Sequence, residues 1–265
     1  MVEPIHPWRR YVALGDSLTE GLADFNPDGT PCGWADRFAQ HLADAAGEPV
    51  EYANLAIRGR LLGPIIAEQL EPALALQPDL VSLWGGGNDI LRPRADVDAI
   101  TAELERAVIR LREAGIDVII GTGIDAKDSP ILELTRPRTG IFNANVWSIA
   151  RRHGAQVIDV WGMRCLKDWQ LWHPDRLHFN DIGHERVSQA ALAAVGLPAR
   201  PGWDDPLPPL PARSRREWLE WQATWAREHA APWIGRRIRR TSSGAGRTAK
   251  LPAYVSVPPR EPDAA

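Results

Sequence analysis

Regular alternation of short β-rich runs with helical stretches constrains this chain more than any other feature. "RYVALG" (10–15), "VEYANLA" (50–56), "DLVSLWGG" (79–86), "DVIIGTG" (117–123) and "AQVIDVW" (155–161) have the composition of strands. Between them, the stretches 33–47, 61–76, 96–115 and 138–154 carry helical patterns. The clearest is "DVDAITAELERAVIRLREAG", where Val97, Ile100, Leu104, Val108 and Leu111 recur at three- and four-residue spacings and Gly115 supplies a stop. A last helix is expected from Asn180, a suitable N-cap, to about Val195. Strands and helices alternating at this spacing predict an α/β domain, a parallel sheet with helices on both faces. Such sheets gather their functional groups on the loops beyond the carboxyl ends of the strands, so those loops are where chemistry is sought.

The first such loop is "GDS", where the apolar run Tyr11–Leu14 gives way to Gly15, Asp16 and Ser17. These are common turn residues, and a serine here also suits a helix N-cap. The same position is chemically useful, because the start of a helix offers free N–H groups to a developing oxyanion. A serine nucleophile needs a base, and the base an orienting partner. Of the seven histidines, His178 lies in the loop between the last expected strand and the last helix with an acid three residues before it, in "DRLHFNDIGH". That spacing lets Asp175 reach one imidazole nitrogen and leaves the other to face a nucleophile, although the pair would equally serve as a helix cap or surface ion pair. Gly59, in "NLAIRG", follows the second strand, where a residue without a side chain brings its N–H close to a ligand. Asn88 stands after the third strand behind three glycines, and its amide can donate to an oxyanion or cap a turn.

Ser17, Gly59, Asn88 and the Asp175–His178 pair occur in order, each after an expected strand. On these blocks, "GDSLTEG", "NLAIRG", "GGND" and "DRLHFNDIGH", the chain resembles the SGNH hydrolases, also called the GDSL lipase/acylhydrolase family, over roughly residues 9–195. The resemblance implies a flavodoxin-like three-layer α/β/α sandwich with a five-stranded parallel sheet. It implies Ser17 as nucleophile, His178 as general base and then acid, and Asp175 as its orienting partner. The oxyanion hole would be the N–H groups of Ser17 and Gly59 and the side chain of Asn88. Asp16 and Asp89, beside these positions, are expected to hold their loops by accepting from backbone N–H groups. The reaction expected is serine-dependent hydrolysis of a small acyl ester through an acyl-enzyme. Acyl transfer to an alcohol or sugar at the same site is the alternative. No cofactor is needed. His173, Asp175, His178 and His184 follow no zinc-ligand spacing, so no metal is expected, and His184 is read as a helix residue packed under the catalytic loop.

Residues 1–199 therefore read as a hydrolase domain, 200–213 as a proline-rich linker or surface strap, and 214–265 as a C-terminal helix with an Arg-rich tail. The helix, 214–233, gathers Trp218, Trp221, Trp225 and Trp233, and the tail beyond it looks mostly irregular. Net charge is −3, but residues 200–265 hold 12 Lys/Arg against 7 Asp/Glu. The basic run "GRRIRR" could touch an anionic surface. The favoured expectation is that the tryptophans pack the helix onto the hydrolase core and the arginines pair with its acidic surface. Neither nucleic acid nor membrane is an expected partner, and oligomeric state is left open. The segment 125–142 should border the active-site cleft, and Trp169 and Trp172 either form a substrate platform or pack the loop. The N-terminal stretch lacks a signal-peptide apolar core, there is no apolar run of membrane-spanning length, and Cys32 and Cys165 read as free thiols. A cytoplasmic location is the expectation.

Overall fold

The computed structural model describes residues 8–127, 129, 132–211, 213–232, 235 and 243–261. Trp233 and the arginines of 236–240 lie outside them. Five strands, β1 (Arg10–Gly15), β2 (Val50–Asn54), β3 (Leu80–Trp84), β4 (Asp117–Gly121) and β5 (Gln156–Ile158), pair in parallel in the order β5-β4-β3-β1-β2. Each corresponds to one of the expected runs. Buried on both faces, β3 reads as a continuous apolar run interrupted by Ser82, whose hydroxyl is 2.7 Å from that of Tyr11.

Alternation along the strands sorts the core into two layers. Tyr11, Ala13, Tyr52 and Trp84 face α2 (Trp34–Ala46) and α7 (Asp181–Ala194), which bring Trp34, Phe38, Leu42 and Val187. Val12, Leu14, Val81 and Ile120 face the opposite way, onto α3 (Leu62–Ala75), α5 (Val97–Glu113) and α6 (Arg136–His153). The chain runs from β1 to β2 on one side and then returns past β1 to place β3 on the other. Between the carboxyl ends of β1 and β3 the connections diverge, the crevice where open α/β sheets bind ligands.

Among the described residues the sheet has six strands rather than the five expected, and the tail is not irregular throughout. β6 (Leu251–Val257) pairs antiparallel with β2, Val50 opposite Val257 and Tyr52 opposite Val255. Its residues lack a buried face because it is an edge strand, and Pro252 is tolerated for the same reason. Lys250 Nζ lies 2.6 Å from Asp36, and Arg260 pairs with Asp44, so two of the tail's cations do meet acids of the sheet domain.

The C-terminal helix also departs from expectation. α8 (Arg215–Trp225) starts at a capping box in which Ser214 and Glu217 satisfy each other's backbone N–H, then widens into a π-helical turn over Ala226–Ala230. No α8 residue is buried, and Trp218 is 47% exposed, so the helix does not pack an apolar face onto the core. The stretch before it is anchored as a strap: Asp204 accepts from the N–H groups of Arg164 and Cys165, and Gln170 donates to the Pro208 carbonyl. Both cysteines are free thiols. Among the described residues no helix is long and apolar enough to cross a membrane.

Candidate active site

β1 ends where space and hydrogen bonding are both tight. The Gln69 side chain, reaching across from α3, donates to the Gly15 carbonyl and accepts from its N–H, each at 2.9 Å. A Cβ at Gly15 would lie 2.6 Å from the Trp84 carbonyl oxygen, so the residue before the turn must be glycine. Asp16 then caps α1 (Ser17–Glu20), accepting from the Leu18 N–H at 3.3 Å. Ser17 is thus the first residue of a helix, with its N–H among the donors that lack an intrahelical partner. α1 has only four residues, so the donor itself, and not a long helix dipole, is what the position offers an anion.

The loop before α7 meets Ser17 from the other side. His178 Nε2 is 2.9 Å from Ser17 Oγ, and His178 Nδ1 is 2.7 Å from Asp175 Oδ2. Asp175 Oδ1 accepts from the N–H groups of Leu177 (2.9 Å) and His178 (3.1 Å), closing the carboxylate onto its own turn. Burial works to raise the Asp175 carboxyl, but the hydrogen bond and charge of His178, with those two N–H groups, outweigh it. The group is held well below the usual carboxylate range. Asn180 caps α7 by accepting from the Gly183 N–H at 3.0 Å.

The two remaining expected residues line the same cleft, of about 1560 Å³. Gly59 sits in the turn after β2 at φ +72°, a conformation that favours glycine. Asn88 is the second residue of α4 (Gly87–Ile90), and its amide donates to Asp16 Oδ2 and to the Arg60 carbonyl, both at 3.0 Å. As expected, Asp89 holds its loop by accepting from the Leu62 N–H at 2.9 Å. Burial pushes the Asp16 carboxyl up to about 6, against the Leu18 N–H, the His178 charge and the Asn88 amide, which act the other way.

Of the four clustered residues considered as metal ligands, His173, Asp175 and His178 stay together, with His173 Nδ1 3.2 Å from Asp175. His184 is turned away. It is wholly buried, accepts from the Trp34 N–H at 3.1 Å, and burial lowers its pKa to about 3. Asp125, Ser129, Leu132 and Thr139, from the segment expected at the border, do line the cleft. Trp169 and Trp172 line it as well and pack the loop: the Trp172 ring lies 4.8 Å from that of Phe179, and its Nε1 donates to the Leu166 carbonyl.

Residues not singled out in the sequence brace the site. Gln69 does so at Gly15. Glu20 grips the Arg58 guanidinium and accepts from the Arg58 N–H at 2.7 Å, fixing the turn that carries Gly59. The signal was an acid inside "GDSLTEG" and a base inside "NLAIRG", two blocks that must meet. Arg176, inside the Asp175–His178 turn, was likewise not singled out; its Nη1 donates to Gln222 Oε1 at 2.7 Å.

The fold matches a metagenomic α/β hydrolase from Lake Arreo, LAE5, at TM-score 0.60 and 22% identity, covering 71% of this chain and 95% of that one. It also matches the acetylxylan esterase Axe2 of Geobacillus stearothermophilus (TM-score 0.61, 20% identity, 75% and 99% covered). The psychrotrophic esterase EstA of Pseudoalteromonas sp. is similar at TM-score 0.56 and 18% identity, with 71% and 97% covered. No curated protein matches the sequence. The sequence profile described as the GDSL-like Lipase/Acylhydrolase family matches residues 13–186, from β1 into α7. That stretch is most of the chain and contains the four loops that carry Ser17, Gly59, Asn88 and the Asp175–His178 pair, and it places the chain in the GDSL-like lipase/acylhydrolase family, whose members are ester hydrolases.

Proposed function

We propose that this chain hydrolyses a small acyl ester through an acyl-enzyme on Ser17. The observation that carries the reading is the unbroken Asp175–His178–Ser17 relay, 2.7 and 2.9 Å, opening into the cleft at the point where the sheet's connections diverge. Ser17 Oγ attacks the ester carbonyl as its proton passes to His178 Nε2, and the carbonyl electrons move onto oxygen. The Ser17 and Gly59 N–H groups and the Asn88 amide stabilise that oxyanion. The alkoxide leaves with the proton from His178, giving the acyl-enzyme. Water then attacks while His178 takes its proton, and the acid departs as the proton returns to Ser17. Asp175, held ionised, keeps the imidazole in the tautomer that accepts at Nε2.

Two similar structures are acetylxylan esterases, which makes acetyl the first acyl group to try. The test is pre-steady-state hydrolysis of p-nitrophenyl acetate and butyrate by wild type and Ser17→Ala. A burst of about one p-nitrophenol per site, then turnover, is expected in wild type and neither in the variant. Equal rates in both proteins would remove Ser17 from the chemistry. A burst whose decay accelerates with added alcohol, yielding the transferred ester, would assign the same residues to acyl transfer.

A further inference from the structure

Arg176 is the residue in the catalytic turn that the proposed reaction does not use, and its surroundings are unusual. It lies between Asp175 and His178 in the left-handed conformation, φ +59°, which a side-chain-bearing residue adopts at a cost. It is only 5% exposed. A buried guanidinium ordinarily meets a carboxylate. Here Arg176 Nε and Nη2 have no hydrogen-bond partner among the described residues, and the charge is met by aromatic faces. Its Cζ lies 3.8 Å from the Trp221 ring centroid, 4.5 Å from Trp225 and 5.8 Å from Trp169, and Nη1 donates to Gln222 Oε1 at 2.7 Å. Desolvated cation–π contacts of this kind replace lost hydration. Three of the four partners are on α8, where positions 221, 222 and 225 share one side of the helix. A second link joins the same elements: Trp225 Nε1 donates to the Asp175 carbonyl at 3.2 Å.

We infer that α8 is part of the catalytic apparatus, caging Arg176 so that the Asp175–His178 turn stays aligned on Ser17. Arg176 is on this account a positioning residue, and the inference takes its kinetic consequence from the hydrolase reading above. The turn depends on a few local bonds: Arg176 N–H to the His173 carbonyl (2.8 Å), His173 N–H to the His178 carbonyl (2.9 Å), and the two N–H groups that hold Asp175. All but the first require residue 176 to keep its left-handed backbone. Glycine would hold that backbone at less cost, so the arginine side chain serves something other than the turn itself. α8 buries none of its own residues, and the cage is what couples it to the turn. The chain leaving α8 carries Glu228 and His229 to the cleft wall, with the His229 ring 6.2 Å from that of His173. α8 lies beyond the family-matched residues 13–186, so the brace is an addition to the shared domain.

The experiment compares full-length wild type with Arg176→Gly, with Trp221→Ala/Trp225→Ala, and with the ring-conserving Trp221→Phe/Trp225→Phe. Trp218→Ala, on the same helix but outside the cage, is the control. Backbone hydrogen exchange is followed in peptides spanning 171–180, beside turnover of p-nitrophenyl acetate. Protection in 171–180 should fall in the Gly and double-Ala proteins while β1, β3 and β4 stay protected. Their kcat should fall about ten- to a hundredfold with KM within about twofold, as for a misplaced catalytic group. The Phe pair should recover most of the protection, and Trp218→Ala should match wild type. Unchanged exchange of 171–180 in both cage variants overturns the inference whatever the rates do. Absence of turnover in wild type would count against the hydrolase reading instead, and the exchange result would still decide the brace.

Discussion

Asn88 commits both amide protons in the resting site, one to Asp16 and one to the Arg60 carbonyl. In the proposed reaction an oxyanion would therefore draw one of them away, and the neutral carbonyl of Arg60 is the weaker competitor. The amide would pivot a short way with its hold on Asp16 kept, which would make Asp16 the fixed point of the proposed oxyanion hole. Asn88→Ala should lower kcat by about a hundredfold, ~3 kcal/mol in barrier, with little change in KM, because the lost bond matters only once the carbonyl oxygen is charged. Steady-state kinetics on a p-nitrophenyl ester checks this. A loss confined to KM would mean that Asn88 binds substrate and does not stabilise the oxyanion.

Between elements, His184 ties α7 to the start of α2. Its Nδ1 accepts from the Trp34 N–H, a first-turn donor with no intrahelical partner, and Nε2 lies 3.3 Å from the Leu22 carbonyl. The neutral ring fits this slot and the charged ring does not, since burial has lowered its pKa to about 3. In the unfolded chain the same histidine protonates near ~6.5, so between there and about 3 the unfolded state binds the extra proton. Stability from this group is complete above that window and falls as pH drops through it, by about 1.4 kcal/mol per pH unit. Asp16, raised to about 6, works in the opposite sense between about 4 and 6, where the folded state is the one holding the proton. His184→Gln can accept from Trp34 and donate to Leu22 without titrating. Urea unfolding at pH 7, 6 and 5 should show the wild type losing ground steadily to this variant. A difference independent of pH would show that His184 titrates alike folded and unfolded. These element-level ties were the least legible part of the sequence. Period and turn signals located all five parallel strands, and the α7 cap at Asn180, because each is written in adjacent residues. Ser17, Gly59 and Asn88 were legible for a similar reason, each standing just past an apolar run, and the Asp175–His178 pair by its three-residue spacing within one loop. Gln69, Arg176 and the Glu20–Arg58 clamp act across gaps of 38 residues or more, where no local pattern announces a partner. β6 escaped because an edge strand with no buried face has no alternation to read.

Across the whole molecule, the charge imbalance between the tail and the rest of the chain is partly resolved within the chain. Arg260–Asp44 is an exposed pair on the arginine side and should contribute no more than about 1 kcal/mol. Lys250–Asp36 differs, with side chains only 13% and 20% exposed and Lys250 Nζ also donating to the Pro31 carbonyl at 3.0 Å. Asp36 is in turn the residue that receives the Gly33 N–H at the start of α2, at 2.7 Å. Burial pushes the Asp36 carboxyl up, and Lys250 is the main influence drawing it back. The ammonium just before β6 thus supports both the edge strand and the helix behind it. Lys250→Ala leaves a buried carboxylate without its cation and should cost about 3 kcal/mol at pH 7, read from the urea midpoint. Pairing it with Asp36→Asn removes the stranded charge and should recover a good part of that loss, whereas Arg260→Ala should barely register. If Lys250→Ala is as mild as Arg260→Ala, the tail rests on the sheet edge without holding it. Then the five parallel strands would stand on their own, and β6 would be covering an edge whose stability was already secured by α2 and α3.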